Sequence, residues 1–150
     1  MKTGARTGKE CTAALVRVLP VKTERRTQLV DVTEEVAALV ASAGVSSGLC
    51  HLYVPHTTAG ITINENEDPD VGRDIEAALD RLVPRNGPYK HWEGNADSRI
   101  KSTLTGVSAT VLIEEGRLAL GRWQAIFFCE FDGPRQREVR VKITPDGALP

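Results

Sequence analysis

The last third of the sequence holds strand signals and turns without a helical pattern, and this feature constrains the fold most. Its segments are short, rich in β-branched and aromatic residues, and separated by turns at Glu115-Gly116 and Gly133-Pro134. They cover residues 107–114, 117–120, 122–131 and 136–143. Because mixed elements come first and strands come last, the order predicts an α+β fold rather than a doubly wound α/β fold.

Helical patterns occur in two places before this block. Asp31 and Glu34 have the spacing of a capping box, and the apolar stripe after them ends at Gly44. Asp68-Pro69 supplies an N-cap and a first-turn proline, and the apolar stripe that follows is stopped by Pro84. The sequence therefore predicts two main helices.

Three earlier segments are typical of strands, namely 11–19, 48–54 and 57–64. In the third, apolar and polar residues alternate, and Glu65 falls in step with the apolar ones. Either this strand ends at Asn64 or the Glu65 carboxylate points towards a partly buried place. The later segment 123–131 is apolar on both parities, which predicts cover on both faces, some of it at a subunit interface.

Size and charge limit the organisation of the chain and its partners. With 150 residues it is near the common size of one domain, and we expect a single domain over residues 11–145 after a loose tail at 1–10. The formal net charge of -1 offers no long-range field that favours nucleic acid or an anionic membrane. No segment resembles a signal peptide or a membrane span, so we expect no membrane partner.

The three cysteines are far apart in the sequence and form no CxxC pair. Cys11, Cys50 and Cys129 each lie in an apolar, strand-like run. An odd number of scattered thiols is typical of a reducing compartment, although two of them could pair in principle. We therefore expect buried, small apolar residues and a cytoplasmic location.

Polar residues with chemical potential are concentrated in the middle of the chain. His56 lies between two strands, and His91 lies in the turn-rich segment 84–98. A single histidine is more often structural than functional. Two histidines and a nearby carboxylate, such as Glu65, can form a metal site or an acid-base set if the fold brings them together.

Glu130 is embedded in the apolar run IFFCEFD. A buried carboxylate must be paired or neutral, so Glu130 either forms an ion pair with a basic residue such as Arg135 or Arg137, or belongs to a site. We expect the ion pair. The P-loop, GxGxxG, GxSxG and HExxH patterns are absent, so the residues alone indicate a metal- or phosphate-competent pocket without naming a reaction.

Three motifs resemble those of the YjbQ-like family of small bacterial and archaeal proteins. They are HTTAGITINENEDPDVGRDI, LVPRNGPYKHWEGNADSRIKSTLTG and GRLALGRWQAIFFCEFDGPRQREVRV. The resemblance implies an α+β fold with an antiparallel β-sandwich-like core, packed as a homotrimer. It also implies a secondary thiamine-phosphate synthase activity, which transfers a pyrimidine-methyl group to thiazole phosphate and releases pyrophosphate.

The resemblance also implies a set of site residues. Those with catalytic roles are His56, Glu65, His91 and Asp97, and the ligands of a divalent metal ion, Mg²⁺ or Zn²⁺, are His56 and His91. Those that bind substrate are Thr57, Thr58, Asn64, Asn95, Arg99 and Lys101, with Asp68 and Glu93 in the same motifs. Arg99 stands where the family usually has histidine. Arginine neither binds a divalent ion nor shuttles protons near neutral pH, but it binds phosphate well.

Two functions are consistent with this set. In the first, an enzyme holds a divalent ion between His56, His91 and a carboxylate, while Arg99 and Lys101 neutralise the pyrophosphate leaving group. In the second, a non-catalytic module binds a metal ion or a phosphorylated metabolite, and Arg99 marks a loss or change of chemistry. We expect a small phosphorylated molecule as the partner.

Overall fold

The computed structural model describes residues 14–147, and its elements follow the order expected for an α+β fold. The strands among these residues are β1 (Leu15–Lys22), β2 (Gln28–Asp31), β3 (Gly48–Tyr53), β4 (Ala59–Glu65), β5 (Ser108–Glu114), β6 (Arg117–Leu118), β7 (Gln124–Glu130) and β8 (Gln136–Pro145). The helices are α1 (Thr33–Ala43), α2 (Pro69–Leu82) and α3 (Ala96–Thr105). The tail expected at residues 1–10 lies outside the described residues.

The strands form two antiparallel sheets that enclose one apolar core. The five-stranded sheet has the order β1-β8-β3-β5-β6, and the three-stranded sheet has the order β2-β7-β4. Buried residues of both sheets and of α1 join in a single cluster, which includes Val36, Cys50, Ile61, Phe128 and Val141. The predicted α+β fold with a β-sandwich-like core is therefore confirmed.

Strand β7 is covered on both faces, as its two-sided apolar pattern predicts. Every residue from Ala125 to Glu130 is buried. Phe128 packs in the core between the sheets. Phe127 has the opposite parity and lines a cavity with Pro69 and Gly72 of α2, while α3 packs on the neighbouring strand β4. Helices α2 and α3 thus lie on the outer face of the three-stranded sheet.

Helix α3 is not predicted by the sequence patterns, and its burial explains why. Its buried face is polar, formed by Asp97, Ser98, Lys101 and Ser102. The hydroxyl of Ser102 donates to the carbonyl of Ala59 at 2.6 Å, which ties the helix to β4. Apolar periodicity identifies a helix only when its buried face is apolar, so this one is missed.

Strand β2 is not predicted by the sequence patterns either, and β1 ends at Lys22 rather than at residue 19. Most of the other boundaries differ from the predictions by a few residues. Helix α1 has Val32 as its N-cap rather than Asp31, because Asp31 Oδ1 instead accepts from the backbone N–H of Thr33 at 2.9 Å and from its hydroxyl at 2.6 Å. Helix α2 begins as predicted, with the Asp68 carboxylate accepting from the N–H of Asp70 at 2.9 Å. Strand β4 continues to Glu65, which is half-buried, so the second of the two alternatives for this carboxylate holds.

Two of the three cysteines lie within the described residues. Cys50 and Cys129 are buried and free, as predicted, whereas Cys11 lies outside the described residues. Burial raises the pKa of Cys50 to about 11 and that of Cys129 to about 12, which keeps both thiols protonated and unreactive.

Over residues 14–147, no helix combines the length and apolar character that a membrane crossing needs.

Candidate functional site

His56 lies in the connection between β3 and β4 and is held by the backbone of β8. The ring is half-buried, and its Nε2 accepts a hydrogen bond from the N–H of Glu138 at 3.0 Å. Burial, and then the positive charge of Arg137, lower the pKa of His56 below its usual value. The ring is therefore neutral at pH 7 and carries its proton on Nδ1.

Thr57, His91, Glu93 and Arg99 meet at the surface, and we call these four residues the Arg99 cluster. Arg99 in α3 donates from Nη1 to the hydroxyl of Thr57 at 2.9 Å. Glu93 Oε2 lies 3.7 Å from Arg99 Nη2 and 3.8 Å from His91 Nε2. The three charged or titratable side chains remain 37–48% exposed, so the cluster is open to solvent.

Two buried polar atoms at the start of α3 have no hydrogen-bond partner within residues 14–147. They are Asn95 Oδ1 and Arg99 Nε. Asn95 is the N-cap of α3, but its side chain makes no capping bond, and its Nδ2 donates instead to Asp132 Oδ2 at 3.0 Å. Unpaired buried groups need an explanation, and here an unused donor lies at a helix N-terminus that favours anions.

Asp97 and Lys101 belong to a buried ion network rather than to the Arg99 cluster. Asp97 is fully buried and accepts two hydrogen bonds from Arg26 at 3.0 Å each. The Nζ atom of Lys101 lies 2.5 Å from Asp80 Oδ1 and 3.7 Å from Asp97 Oδ2. Burial acts to raise the pKa of Asp97, but the hydrogen bonds and charge of Arg26 outweigh it and lower the pKa. The network joins α2 to α3, while the predicted catalytic and substrate roles of these two residues stay predictions.

Glu130 forms the expected ion pair, and its partner is Arg137. Arg137 donates to Glu130 from Nη2 at 2.6 Å and from Nε at 2.9 Å, and Thr23 donates from its hydroxyl at 2.7 Å. Arg137 also donates to Thr58 Oγ1 at 2.8 Å. Burial acts to raise the pKa of Glu130, but the bonds from Arg137 and Thr23 lower it overall. Thr58 therefore belongs to a buried, hydrogen-bonded unit, and its predicted substrate-binding role stays a prediction.

The candidate site residues of segment 64–68, NENED, lie beside α2. Glu65 and Asp68 line a cavity there, and Asn64 Oδ1 accepts from the backbone N–H of Glu65 at 2.8 Å. Within residues 14–147, no hydrogen bond or ion pair connects these residues to the Arg99 cluster. The candidate residues therefore divide among separate places on one chain.

The comparisons with known proteins identify the family. A family model described as UPF0047 protein YjbQ-like matches residues 17–146. The chain belongs to this family. The UPF0047 protein MJ1081 of Methanocaldococcus jannaschii is 52% identical over 126 residues, which are 84% of this chain and 91% of that protein. The UPF0047 protein YugU of Bacillus subtilis is 46% identical over 130 residues, which are 86% and 98% of the two chains.

Solved structures of YjbQ-like proteins share the fold. An uncharacterised YjbQ/UPF0047 family protein from Clostridium acetobutylicum is 52% identical, with a TM-score of 0.83 over 85% of this chain and 98% of that chain. A protein of unknown function from Sulfolobus solfataricus, described as YbjQ-like, has a TM-score of 0.86 at 31% identity over 89% and 99% of the chains. The chain therefore has the fold of solved YjbQ-like proteins.

The metal site implied by the YjbQ-like resemblance does not fit the donors at hand. Residues 14–147 contain no group of three or more His, Cys, Asp or Glu side chains that could hold a metal ion. His56 already uses Nε2 to accept from Glu138, and no hydrogen bond or ion pair among residues 14–147 joins it to His91. Within these residues a metal ion would therefore lack a complete ligand set.

Sequence reasoning missed Arg26 and Asp80, which hold the polar face of α3. Arg26 is 71 residues from Asp97, and Asp80 is 21 residues from Lys101, so no local pattern pairs them. One usable signal was present. Asp97 and Lys101 are four residues apart, and such a spacing of opposite charges is typical of one helix face.

Proposed function

We propose that this YjbQ-like protein binds the phosphate or pyrophosphate group of a small metabolite at the Arg99 cluster. The observation that carries the proposal is the incomplete bonding of Arg99. One guanidinium nitrogen is bonded to Thr57, Glu93 is 3.7 Å from another, and Nε has no hydrogen-bond partner within residues 14–147. A phosphate that displaces Glu93 would receive two parallel charge-assisted hydrogen bonds from the guanidinium group.

The surroundings of Arg99 support an anion with a flat organic body. The start of α3 adds the partial positive charge of a helix N-terminus. His91 can add one more donor. Trp92 is 88% exposed next to it and offers an aromatic surface on which a heterocycle can stack.

We further propose that the bound group is the pyrophosphate of a pyrimidine-methyl donor, as the family resemblance implies. In this transfer the thiazole nitrogen attacks the methylene carbon, the carbon–oxygen bond to pyrophosphate breaks, and pyrophosphate leaves with the electron pair. Arg99 would stabilise the negative charge that develops on the leaving group.

The binding step is tested by titrating pyrophosphate into the protein in a calorimeter. We expect Arg99→Ala to weaken binding about tenfold or more, because one charge-assisted contact is worth roughly 1.5–3 kcal/mol. Glu93→Gln should strengthen binding, because it removes a competing negative charge. Arg73→Ala is the matched control, since Arg73 is also exposed and paired to a carboxylate, that of Asp70, at 2.7 Å but lies on α2. Unchanged affinity in Arg99→Ala, or weaker binding in Glu93→Gln, would contradict the proposal.

The transfer step is tested with the two phosphorylated precursors and detection of thiamine phosphate by chromatography. Parallel reactions contain EDTA, Mg²⁺ or Zn²⁺. Product that depends on Arg99 supports the transferase. Pyrophosphate binding without product in any reaction supports the alternative, a phosphometabolite-binding module, which the replacement of the usual histidine by Arg99 favours.

We also propose that the protein self-associates through the outer face of the five-stranded sheet, in line with the homotrimer implied by the resemblance. This face carries exposed apolar residues on three strands, Val16 and Val18 of β1, Tyr53 of β3 and Leu112 of β5. The strand register puts them on the same face. Light scattering should give a trimer mass, and Val18→Glu combined with Leu112→Glu should give a monomer; a monomeric parent protein would reject this proposal.

A further inference from the structure

A cavity of about 450 Å³ lies between the start of α2 and the outer face of the three-stranded sheet. This volume is within the range of small-molecule sites. Leu29 and Phe127 of the sheet form its apolar floor. It shares no residue with the Arg99 cluster. The cavity is therefore a second place where this chain can hold a ligand.

The two glutamates that line this cavity differ in their bonding. Glu76 Oε1 accepts from the backbone N–H of Leu29 at 3.0 Å and from Arg25 at 3.4 Å, so it attaches α2 to β2. Glu65 is half-buried, yet its carboxylate has no hydrogen bond or ion pair within residues 14–147. A partly desolvated carboxylate without a partner gains most from a cationic donor.

The arginines of the cavity are already engaged. Arg25 pairs with Glu76, and Arg73 donates to Asp70 at 2.7 Å. The Asp68 carboxylate caps α2. Among the charged residues that line the cavity, Glu65 is therefore the one whose side chain has neither a hydrogen bond nor an ion pair within residues 14–147.

We propose that the cavity binds a small cationic amine with a flat, apolar body. The amine donates to Glu65, and the body packs on Leu29 and Phe127. Recognition of this kind joins an apolar surface to one well-placed charged group, as in most small-molecule sites. The site is independent of phosphate binding at Arg99.

Three ring compounds of similar size test the proposal by NMR titration of backbone amides. Benzylamine carries the cation, benzyl alcohol lacks the charge, and benzoate reverses it. We expect benzylamine to shift the amides of residues around the cavity and to bind most tightly of the three. Benzoate that binds as tightly as benzylamine would overturn the proposal.

Variants then assign the contact to Glu65. Glu65→Gln should weaken benzylamine about tenfold, the loss expected for one charge-assisted hydrogen bond. Glu67→Gln is the matched control, because Glu67 is an exposed carboxylate two residues away that does not line the cavity. Equal loss in both variants, or no loss in Glu65→Gln, would overturn the assignment.

A second variant keeps the test valid if Glu65→Gln folds poorly. A Cβ atom on Gly72 would have Leu29 Cδ1 at 3.8 Å as its nearest neighbour, so Gly72→Leu should fill the cavity and abolish benzylamine binding with Glu65 intact. Full benzylamine binding by a folded Gly72→Leu protein would contradict the location. Pyrophosphate affinity should be unchanged in Glu65→Gln and benzylamine affinity unchanged in Arg99→Ala, so the two sites fail or hold separately.

Discussion

The molecule contains two arginine–glutamate assemblies with opposite character. Arg137 and Glu130 are almost fully buried, with Arg137 Nη2 2.6 Å from Glu130 Oε2, and the pair is also bonded to Thr23, Thr58 and backbone. Arg99 and Glu93 are half-exposed and 3.7 Å apart, and the buried Nε atom of Arg99 has no hydrogen-bond partner within the described residues 14–147. The two assemblies contain the same residue types and differ in how many of their polar atoms are hydrogen-bonded.

This difference separates a structural ion pair from a candidate binding site. A buried pair with every partner present strongly resists the removal of either charge, because the survivor is left unpaired in a medium of low polarity. An exposed pair contributes little to stability, so its partner can be exchanged for a ligand. A substitution at the buried pair should therefore mainly lower stability, whereas a substitution at the Arg99 cluster should mainly lower ligand affinity.

The largest expected effect is at the buried pair. Arg137→Met leaves Glu130 buried without its cation and should lower the free energy of unfolding by about 3–5 kcal/mol. Replacing both members with methionine should cost less, because no uncompensated charge remains. Urea denaturation measures both. A loss below about 1 kcal/mol in the single variant would break the comparison.

The network around Asp97 should give an intermediate effect. Asp97→Asn removes the charge that accepts two bonds from Arg26 and approaches Lys101, so we expect a loss of about 2 kcal/mol in urea denaturation. Asp74→Asn on the exposed side of α2 is the control and should be nearly neutral. If the two variants were equally stable, the network would not be structural.

The pH dependence of stability tests the hydrogen bond to His56. Its pKa in the folded chain is below the usual value of 6.5, so the unfolded chain binds the proton more readily. Stability should be fully present above pH 6.5 and should fall as the pH drops from there towards the folded-state pKa. His56→Gln, which keeps an acceptor for Glu138, should remove this slope between pH 6.5 and that pKa, whereas His51→Gln should retain it.

The smallest effect on stability is expected at the Arg99 cluster. Arg99→Ala should change the free energy of unfolding by less than about 1 kcal/mol, since the ion pair is exposed. The same variant should lose pyrophosphate affinity, as proposed above. A large loss of stability would show that Arg99, like Arg137, is mainly structural.

Local patterns predicted much of the fold because they depend on near neighbours. The cap of α2 at Asp68, the end of α1 at Gly44 and the two-sided burial of β7 all follow from residues within a few positions. The ion pair of Glu130 was also predicted, because a charge in an apolar strand requires a partner. Helix α3 escaped prediction, because the groups that satisfy its polar face come from distant segments.

The sequence by itself determined the α+β class, the YjbQ-like motifs and the residue types available for chemistry. Only the tertiary structure decided which of those residues meet. It joins Arg99 to Thr57 and Glu93, puts Asp97 and Lys101 in a buried network, and leaves Glu65 beside a separate cavity. The reason is physical: the function of a charged side chain depends on its burial and on partners that arrive from other parts of the chain.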